Sequence, residues 1–265
     1  MTVPQLIAFG ASDVGLGRAN NEDAWTALTD IGFFVLADGM GGHKAGEVAA
    51  KEAIDTLCKA VRTLAETPSL SFTELIVRLR QAIEKANRWV YEMGRGSQTL
   101  HGMGTTLCCV YWTHEAVLYA HVGDSRIYRF RAAKCEQLTT DHSLFAKWLS
   151  FGKIAEECVT PFPYKNVITR AIGTSTQVHP EIAVSTFEPG DLFLLCSDGL
   201  SDVLSPSDME KILGRSDSLQ QAANRLIEKA KIKGSSDNIT VLIIQHEQQN
   251  LLRQQLHDRA RPQSL

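Results

Sequence analysis

The chain has 265 residues, of which 44% are apolar and 22% are charged, so it can bury a sizeable core. Basic residues number 27 and acidic residues 30, which gives a formal net charge of −3. This balance argues against binding to the phosphate backbone of nucleic acids, which requires a basic excess. The N-terminus lacks the regions of a signal peptide, and no apolar run reaches the ~20 residues of a membrane helix. We expect a cytoplasmic protein that binds neither nucleic acid nor membranes.

The first third of the chain is predicted to hold three strands and two helices. Short apolar runs predict strands at residues 6–11, 24–28 and 32–37. Apolar residues recur at helical spacing over residues 50–64 and 72–93, which predicts two helices. Ser71 and Glu74 have the spacing of a capping box at the start of the second helix.

Four β-rich runs follow, and we place them at residues 105–112, 116–122, 126–130 and 134–138. Their short links predict antiparallel hairpins that form a meander.

The remainder is predicted to be mixed. We expect a helix at 143–151, an irregular segment at 155–165, and strands at 166–171, 179–184 and 191–196. Two helices come next, the first opened by Ser205-Pro206 and the second by a capping box of Ser218 and Gln221. A strand at 238–245 ends the series.

This order of elements predicts an α+β fold. Adjacent strands with helices inserted in pairs favour two antiparallel β-sheets packed as a sandwich and flanked by helix pairs, in four layers αββα. We expect one domain over residues 1–247 and a polar C-terminal tail over 248–265, rich in Gln and Arg. The tail is either frayed or a short docking helix that uses Leu251, Leu252 and Leu256.

Aspartates at the ends of predicted strands are the most informative pattern: Asp38, Asp124, Asp198 and Asp237. A single Asp-Gly is more often only a turn. Four carboxylates at strand ends can converge on one edge of a sheet, where they repel each other unless cations neutralise them. Oxygen ligands without Cys or His favour Mg²⁺ or Mn²⁺ over Zn²⁺.

The segment GLGRANNEDAW adds a complementary group. Arg18 offers a planar fork of donors that suits a phosphate dianion, and Glu22 and Asp23 add acidity. Competing motifs are incomplete: GMGGHKAGEV lacks the Lys-Ser/Thr of a phosphate-binding P-loop, and the six cysteines form no C-x-x-C pair.

Eight motifs together resemble the bacterial metal-dependent protein phosphatases, the type-2C protein serine/threonine phosphatase family. They are GLGRANNED, FFVLADGMGGHKAGEVAA, GMGTTL, HVGDSRIYR, LTTDHSL, VITRAIG, GDLFLLCSDGLSD and GSSDNITV, in family order from about residue 10 to 245. The resemblance implies the αββα fold, with a small mobile flap at about residues 144–167.

The resemblance also implies a set of metal ligands for two Mn²⁺ or Mg²⁺ ions. Asp38 resembles the aspartate that bridges both ions, and the Gly39 carbonyl would bind the second ion. Asp198 and Asp237 resemble the remaining ligands of the first ion. Glu22 is similar to the acidic residue that binds the second ion through water.

Three further roles follow from the same resemblance. Arg18 resembles the arginine that binds the substrate phosphate, and Asp124 resembles the aspartate that helps Asp198 hold a weaker third ion. Met40 stands where animal and plant members have a histidine proposed as general acid, and methionine cannot donate a proton. His43 is near in sequence, but a lone histidine in a loop is more often a solvated bystander.

The expected function is hydrolysis of phosphoserine and phosphothreonine in proteins by a metal-activated water, by a monomer that opposes a Ser/Thr kinase. One alternative is a catalytically silent scaffold of the same fold, although such a protein would be expected to lose the aspartates or the arginine. Another is a phosphatase dedicated to one partner in a sigma-factor regulatory switch, although those usually carry sensory domains.

Overall fold

The computed structural model describes residues 5–41, 44–67, 70–151 and 167–246. Ten strands of this part form two antiparallel sheets. The first sheet has the order β1-β11-β10-β7-β8, with β1 (Leu6–Asp13), β7 (Arg126–Arg131), β8 (Lys134–Gln137), β10 (Leu192–Cys196) and β11 (Ile239–His246). The second sheet has the order β2-β3-β5-β6-β9, with β2 (Asp23–Leu28), β3 (Phe33–Met40), β5 (Leu107–Trp112), β6 (Val117–Val122) and β9 (Glu181–Ser185). The short strand β4 (Gly104–Thr105) pairs with β3.

Helices cover the outer faces of both sheets. The second sheet carries α1 (Lys44–Ala65) and α2 (Phe72–Gly96), and the first carries α4 (Asp198–Ser201), α5 (Pro206–Leu213) and α6 (Leu219–Ile232). A further helix, α3 (Leu144–Ser150), follows the first sheet's β8. The predicted four-layer αββα sandwich is confirmed. No helix in the described ranges is long and apolar enough to cross a membrane.

Three buried apolar clusters lie between the four layers of the sandwich, and β3 contributes side chains to two of these clusters. Phe33, Val35 and Ala37 pack with α1 and α2, whereas Phe34 and Leu36 face the other sheet. Because both faces of β3 are covered, its sequence is a continuous apolar run and not an alternating one.

The predicted meander is wrong. The hairpin of β5 and β6 lies in the second sheet, and the hairpin of β7 and β8 lies in the first. The chain crosses between the sheets at residues 123–125, and Gly123 has a φ of +106° there. A left-handed residue at this point turns the chain away from the sheet that it leaves.

The strand predicted at 166–171 is also wrong over its described part. Ile168 forms only an isolated bridge with Ser143. The Thr169 N–H and hydroxyl both donate to the carbonyl of His142, at 2.7 and 2.9 Å. This segment is therefore bonded to a loop and not to a neighbouring strand.

Two of the predicted helix starts are confirmed in full. Ser71 and Glu74 form the capping box of α2, and Pro206 opens α5. Ser218 caps α6, but Gln221 accepts from the N–H of Asp217 and so does not complete the predicted box.

Several predictions fall outside the described residues. They concern the irregular segment at 155–165, most of the flap at 144–167, and the tail at 248–265.

The crossing between the sheets gives a test of the fold. A Cβ at Gly123 would lie 2.7 Å from Thr106 Cγ2, and the positive φ adds strain. Gly123→Ala is expected to lower the free energy of unfolding by about 1–3 kcal/mol, measured by urea denaturation. Gly96→Ala is the control because no atom lies within 4 Å of its added Cβ. Equal stability of the two variants would contradict this account of the crossing.

Candidate metal centre

Carboxylates from both sheets meet at one end of the sandwich. Asp38 lies near the end of β3, Asp198 begins α4 directly beyond β10, and Asp237 lies just before β11. Asp124 lies in the crossing between β6 and β7. The charges of Asp124, Asp198 and Asp237 all act on Asp38. The structure therefore brings the four aspartates of the strand-end pattern into one cluster.

Asp23 is a fifth member, which the sequence predicted only as added acidity near Arg18. It is the first residue of β2 and lies directly opposite Asp38 in the antiparallel ladder, so both side chains leave the sheet on the same face. Burial raises the pKa of Asp23 to about 6, and neither of its carboxylate oxygens has a hydrogen-bond partner among the described residues. The signal in the sequence was the short turn between β2 and β3. In such a hairpin the first residue of β2 lies beside the end of β3.

Burial and repulsion raise the pKa values of Asp38 and Asp198. Burial raises the pKa of Asp38 well above its usual range, and the charge of Asp23 adds to the effect. Burial, followed by repulsion from Asp124, raises the pKa of Asp198 to about 8. Such groups ionise together only when positive charge is brought to them.

Two threonines fix the backbone of Asp38. The Thr105 hydroxyl donates to the Asp38 carbonyl at 2.8 Å, and the Asp38 N–H donates to Thr106 Oγ1 at 3.0 Å. The Thr106 hydroxyl also bonds the Ser125 hydroxyl at 2.6 Å. Because Ser125 directly follows Asp124, one chain of hydrogen bonds links the segments that carry Asp38 and Asp124.

Arg18 forms a two-point ion pair with Asp237 at the edge of the cluster. Its Nε lies 2.8 Å from Oδ1 and its Nη2 lies 2.8 Å from Oδ2. Asp237 raises the pKa of Arg18, and the charges of Glu22 and Asp38 add to this effect. About half of the Arg18 side chain is exposed, so a ligand from solvent can reach it.

Gly39 and Glu22 lie together beside the start of α1. The Gly39 N–H donates to the Glu22 carbonyl at 3.2 Å. A Cβ at Gly46 would clash with the Glu22 carboxylate, and a Cβ at Gly39 would clash with the Gly46 carbonyl. The two glycines therefore allow Glu22 to lie against the helix, where its charge reaches Arg18.

Asp124 is buried in the crossing. Burial raises its pKa to about 6, and repulsion from Asp141 adds to the rise. The positive charge of Arg126 offsets part of it, although that guanidinium is already paired with Asp141 at 2.7 Å.

Met40 ends β3 and pairs with Gly104. Its thioether has no proton to donate to a leaving group. His43 lies outside the described residues, so its role as a bystander stays a prediction.

A second group of possible ligands is His121, His142 and Glu181, whose ligand atoms lie within 4.8 Å of one another. The two imidazole rings stack with their centroids 4.4 Å apart. Arg170 Nη1 lies 3.1 Å from His142 Nε2 and 3.3 Å from Glu181 Oε1. The Arg170 guanidinium already supplies a positive charge to this group. The lone pair of an imidazole nitrogen lies in the plane of its ring, so two stacked rings cannot direct their lone pairs at one ion. A cation therefore does not fit this group.

The aspartate cluster does fit divalent cations. Its donors are carboxylates and carbonyls, which are the ligands of Mg²⁺ and Mn²⁺. Asp198 Oδ1 is buried without a hydrogen-bond partner among the described residues, and such an atom is costly unless a ligand reaches it. A cavity of about 130 Å³ lies at this point, lined by Asp198, Asp202 and Asp237 among others.

Comparisons with known proteins agree with this arrangement. A family model described as protein phosphatase 2C matches residues 17–238. The serine/threonine phosphatase stp of Listeria monocytogenes is 36% identical over 239 residues, which cover 89% of this chain and 94% of the relative.

Solved structures show the same fold. The serine/threonine phosphatase of S. agalactiae has a TM-score of 0.84 at 35% identity, over 91% of this chain and 100% of that one. The catalytic domain of the serine/threonine protein phosphatase PstP, in complex with two manganese ions, has a TM-score of 0.79 at 34% identity, over 91% of this chain and 97% of that one.

The family-model match includes Arg18 and all five aspartates of the cluster. The resemblance stated from the motifs is confirmed. The chain belongs to the protein phosphatase 2C family, and it is a serine/threonine protein phosphatase of the bacterial type.

Proposed function

We propose that this chain hydrolyses phosphoserine and phosphothreonine in proteins by direct attack of water, at a centre that takes two Mn²⁺ or Mg²⁺ ions and a weaker third. The observation that carries the proposal is the cluster of five aspartates, in which burial and the charges of neighbouring aspartates raise the pKa values of Asp38 and Asp198. The two manganese ions in PstP support the same assignment. When bound, the ions supply the nucleophilic water and positive charge opposite the phosphate.

The ligand assignment is the one that the family resemblance implies, and the convergence of these side chains supports it. Asp38 is central to the cluster and would touch both ions, with the Gly39 carbonyl beside the second. Asp198 and Asp237 would complete the first ion's set. Glu22 lies near Arg18, and it would bind the second ion through a water molecule.

Arg18 is proposed to bind the phosphate. Its guanidinium already spans two carboxylate oxygens of Asp237, which is the geometry that a phosphate dianion also offers. The guanidinium and the cations would then lie on different sides of the phosphate and neutralise the oxygens on which charge builds.

Asp124 is proposed to act, with Asp198, at the third ion. A serine alkoxide needs a proton as its P–O bond breaks, and Met40 cannot give one. Asp124 would help to hold the third ion, and a water acidified there would supply that proton.

The wider setting is proposed from the same family. The catalytic domain would span residues 1–247 and act as a cytoplasmic monomer on proteins phosphorylated by a Ser/Thr kinase. The tail at 248–265 would contribute little to catalysis.

Metal dependence gives the first functional test. Activity on a phosphopeptide is expected to fall below detection in chelator and to return with Mn²⁺ or Mg²⁺. Asp198→Asn should stay inactive with Mn²⁺ while its circular dichroism is unchanged, because the variant loses a ligand and also loses repulsion. Asp30→Asn, at an exposed ion pair with Arg62, is the control. Full activity in chelator would exclude the two-ion centre.

Removal of the guanidinium is the second test. Arg18→Ala is expected to raise KM for a phosphopeptide about tenfold or more and to lower kcat less, because the contact exists before and during the reaction. Arg18→Lys should restore only part of the lost affinity for the phosphopeptide, since an ammonium group cannot make two parallel hydrogen bonds to the phosphate. Arg62→Ala removes a comparable exposed pair and should change nothing. An unchanged KM in Arg18→Ala would remove Arg18 from the site.

Dependence on the leaving group is the third test. General acid catalysis contributes about 10²–10⁴-fold where the leaving group needs a proton, and a nitrophenolate needs almost none. Asp124→Ala is expected to lower kcat/KM for a phosphopeptide far more than for p-nitrophenyl phosphate. His43→Ala should affect both substrates little. Equal losses for the two substrates in Asp124→Ala would contradict the role in protonation.

A further inference from the structure

The loop at residues 14–22 carries Arg18 and connects β1 of one sheet to β2 of the other. It lies directly on the segment 236–238 that precedes β11. The Gly17 N–H donates to the Ser236 carbonyl at 3.1 Å. A Cβ at Gly17 would lie 2.7 Å from that same oxygen, so the two backbones approach as closely as glycine allows.

The side chain of Asn238 joins this segment to both ends of the loop. Its Nδ2 donates to the carbonyls of Val14 at 2.9 Å and Asn20 at 2.8 Å. Its Oδ1 accepts from the N–H of Glu22 at 2.8 Å. Asn238 is 5% exposed, so water does not compete for these bonds. Val14 and Asn20 flank Arg18 on either side, and one amide therefore fixes the loop before and after the arginine.

Asn238 also fixes the partner of Arg18. Its backbone N–H donates to Asp237 Oδ1 at 2.8 Å, and that oxygen lies 2.8 Å from Arg18 Nε. The same residue thus sets both the loop that carries the guanidinium and the carboxylate that the guanidinium faces.

We propose that Asn238 is a positioning residue that holds Arg18 ready for the substrate phosphate. This inference rests on the proposed function, in which Arg18 binds that phosphate. An arginine on an exposed loop would otherwise lose much conformational freedom on binding, and a loop that is already fixed avoids that cost. Asn238 touches no reacting atom, and its side chain bonds only the loop that carries Arg18 and Glu22.

The test uses Asn238→Asp, which preserves shape and keeps an acceptor for the N–H of Glu22. It removes both donors and turns a carboxylate toward the carbonyls of Val14 and Asn20. We expect KM for a phosphopeptide and the inhibition constant of inorganic phosphate to rise about tenfold, equivalent to about 1.4 kcal/mol. The fall in kcat should be about threefold or less. Calorimetric binding of inorganic phosphate should weaken by the same factor as the inhibition constant.

Asn238→Asp is also introduced into the Arg18→Ala variant. This double variant distinguishes a role in positioning Arg18 from a general disturbance of the site. If Asn238 acts through Arg18, the double variant should bind phosphate like Arg18→Ala alone, within about twofold. Asn87→Asp is the matched control, since Asn87 is also a buried amide, bonded to the Ser175 carbonyl and the Gly173 N–H. Its effect on phosphate binding should be the same with and without Arg18.

Gly17→Ala tests the same inference by a change in the loop itself, because the added Cβ would clash with the Ser236 carbonyl and displace the loop. This position is exposed, so the variant decides the question if Asn238→Asp does not fold. Unchanged phosphate binding in these variants, or losses that add to that of Arg18→Ala, would overturn the inference. If Arg18→Ala itself leaves phosphate binding unchanged, the proposed role of Arg18 fails instead.

Discussion

Repulsion among aspartates that the fold holds together is the constraint on which the rest of the structure depends. Asp38 and Asp23 face each other across one ladder, and Asp198 and Asp237 reach them from the other sheet. Each of these side chains lies at or beside the end of a strand. Burial, together with repulsion from Asp124 and Asp237, raises the pKa of Asp198 to about 8. A site of this kind is unstable when fully charged, and divalent cations are the ligands that relieve it.

The apolar layers make such a cluster possible. Between the sheets and under both helix pairs, buried side chains supply the stability that the repulsion takes away. Polar contacts then set the detailed positions: Thr106 links the segment of Asp38 to that of Asp124 through Ser125, and Asn238 links Asp237 to the loop of Arg18. Local strain at functional sites is commonly offset in this way by the remainder of a fold.

The four aspartates could be predicted because their signal is local. Each lies within a few residues of an apolar run, and strand ends meet at the edges of sheets. Other features depended on pairings that are distant in sequence. The role of Asp23 follows from its register with Asp38, and the place of Asp124 follows from a crossing at Gly123 that a run of short links does not reveal.

The errors have the same physical origin. Residues 167–171 have strand-like composition, yet Thr169 bonds the carbonyl of His142, so tertiary contacts override propensity there. Asn238 looked only like part of a strand start, because an amide that bonds residues 14, 20 and 22 cannot be recognised until the chain has folded.

Thermal unfolding of the wild type and Asp38→Asn, with chelator and with Mn²⁺, tests the central claim most directly. If repulsion among the aspartates is relieved by cations, Asp38→Asn in chelator should unfold at the same temperature as the wild type or higher. Mn²⁺ should raise the unfolding temperature of the wild type and leave that of the variant unchanged. A variant that is less stable in chelator and gains as much from Mn²⁺ as the wild type would contradict the account.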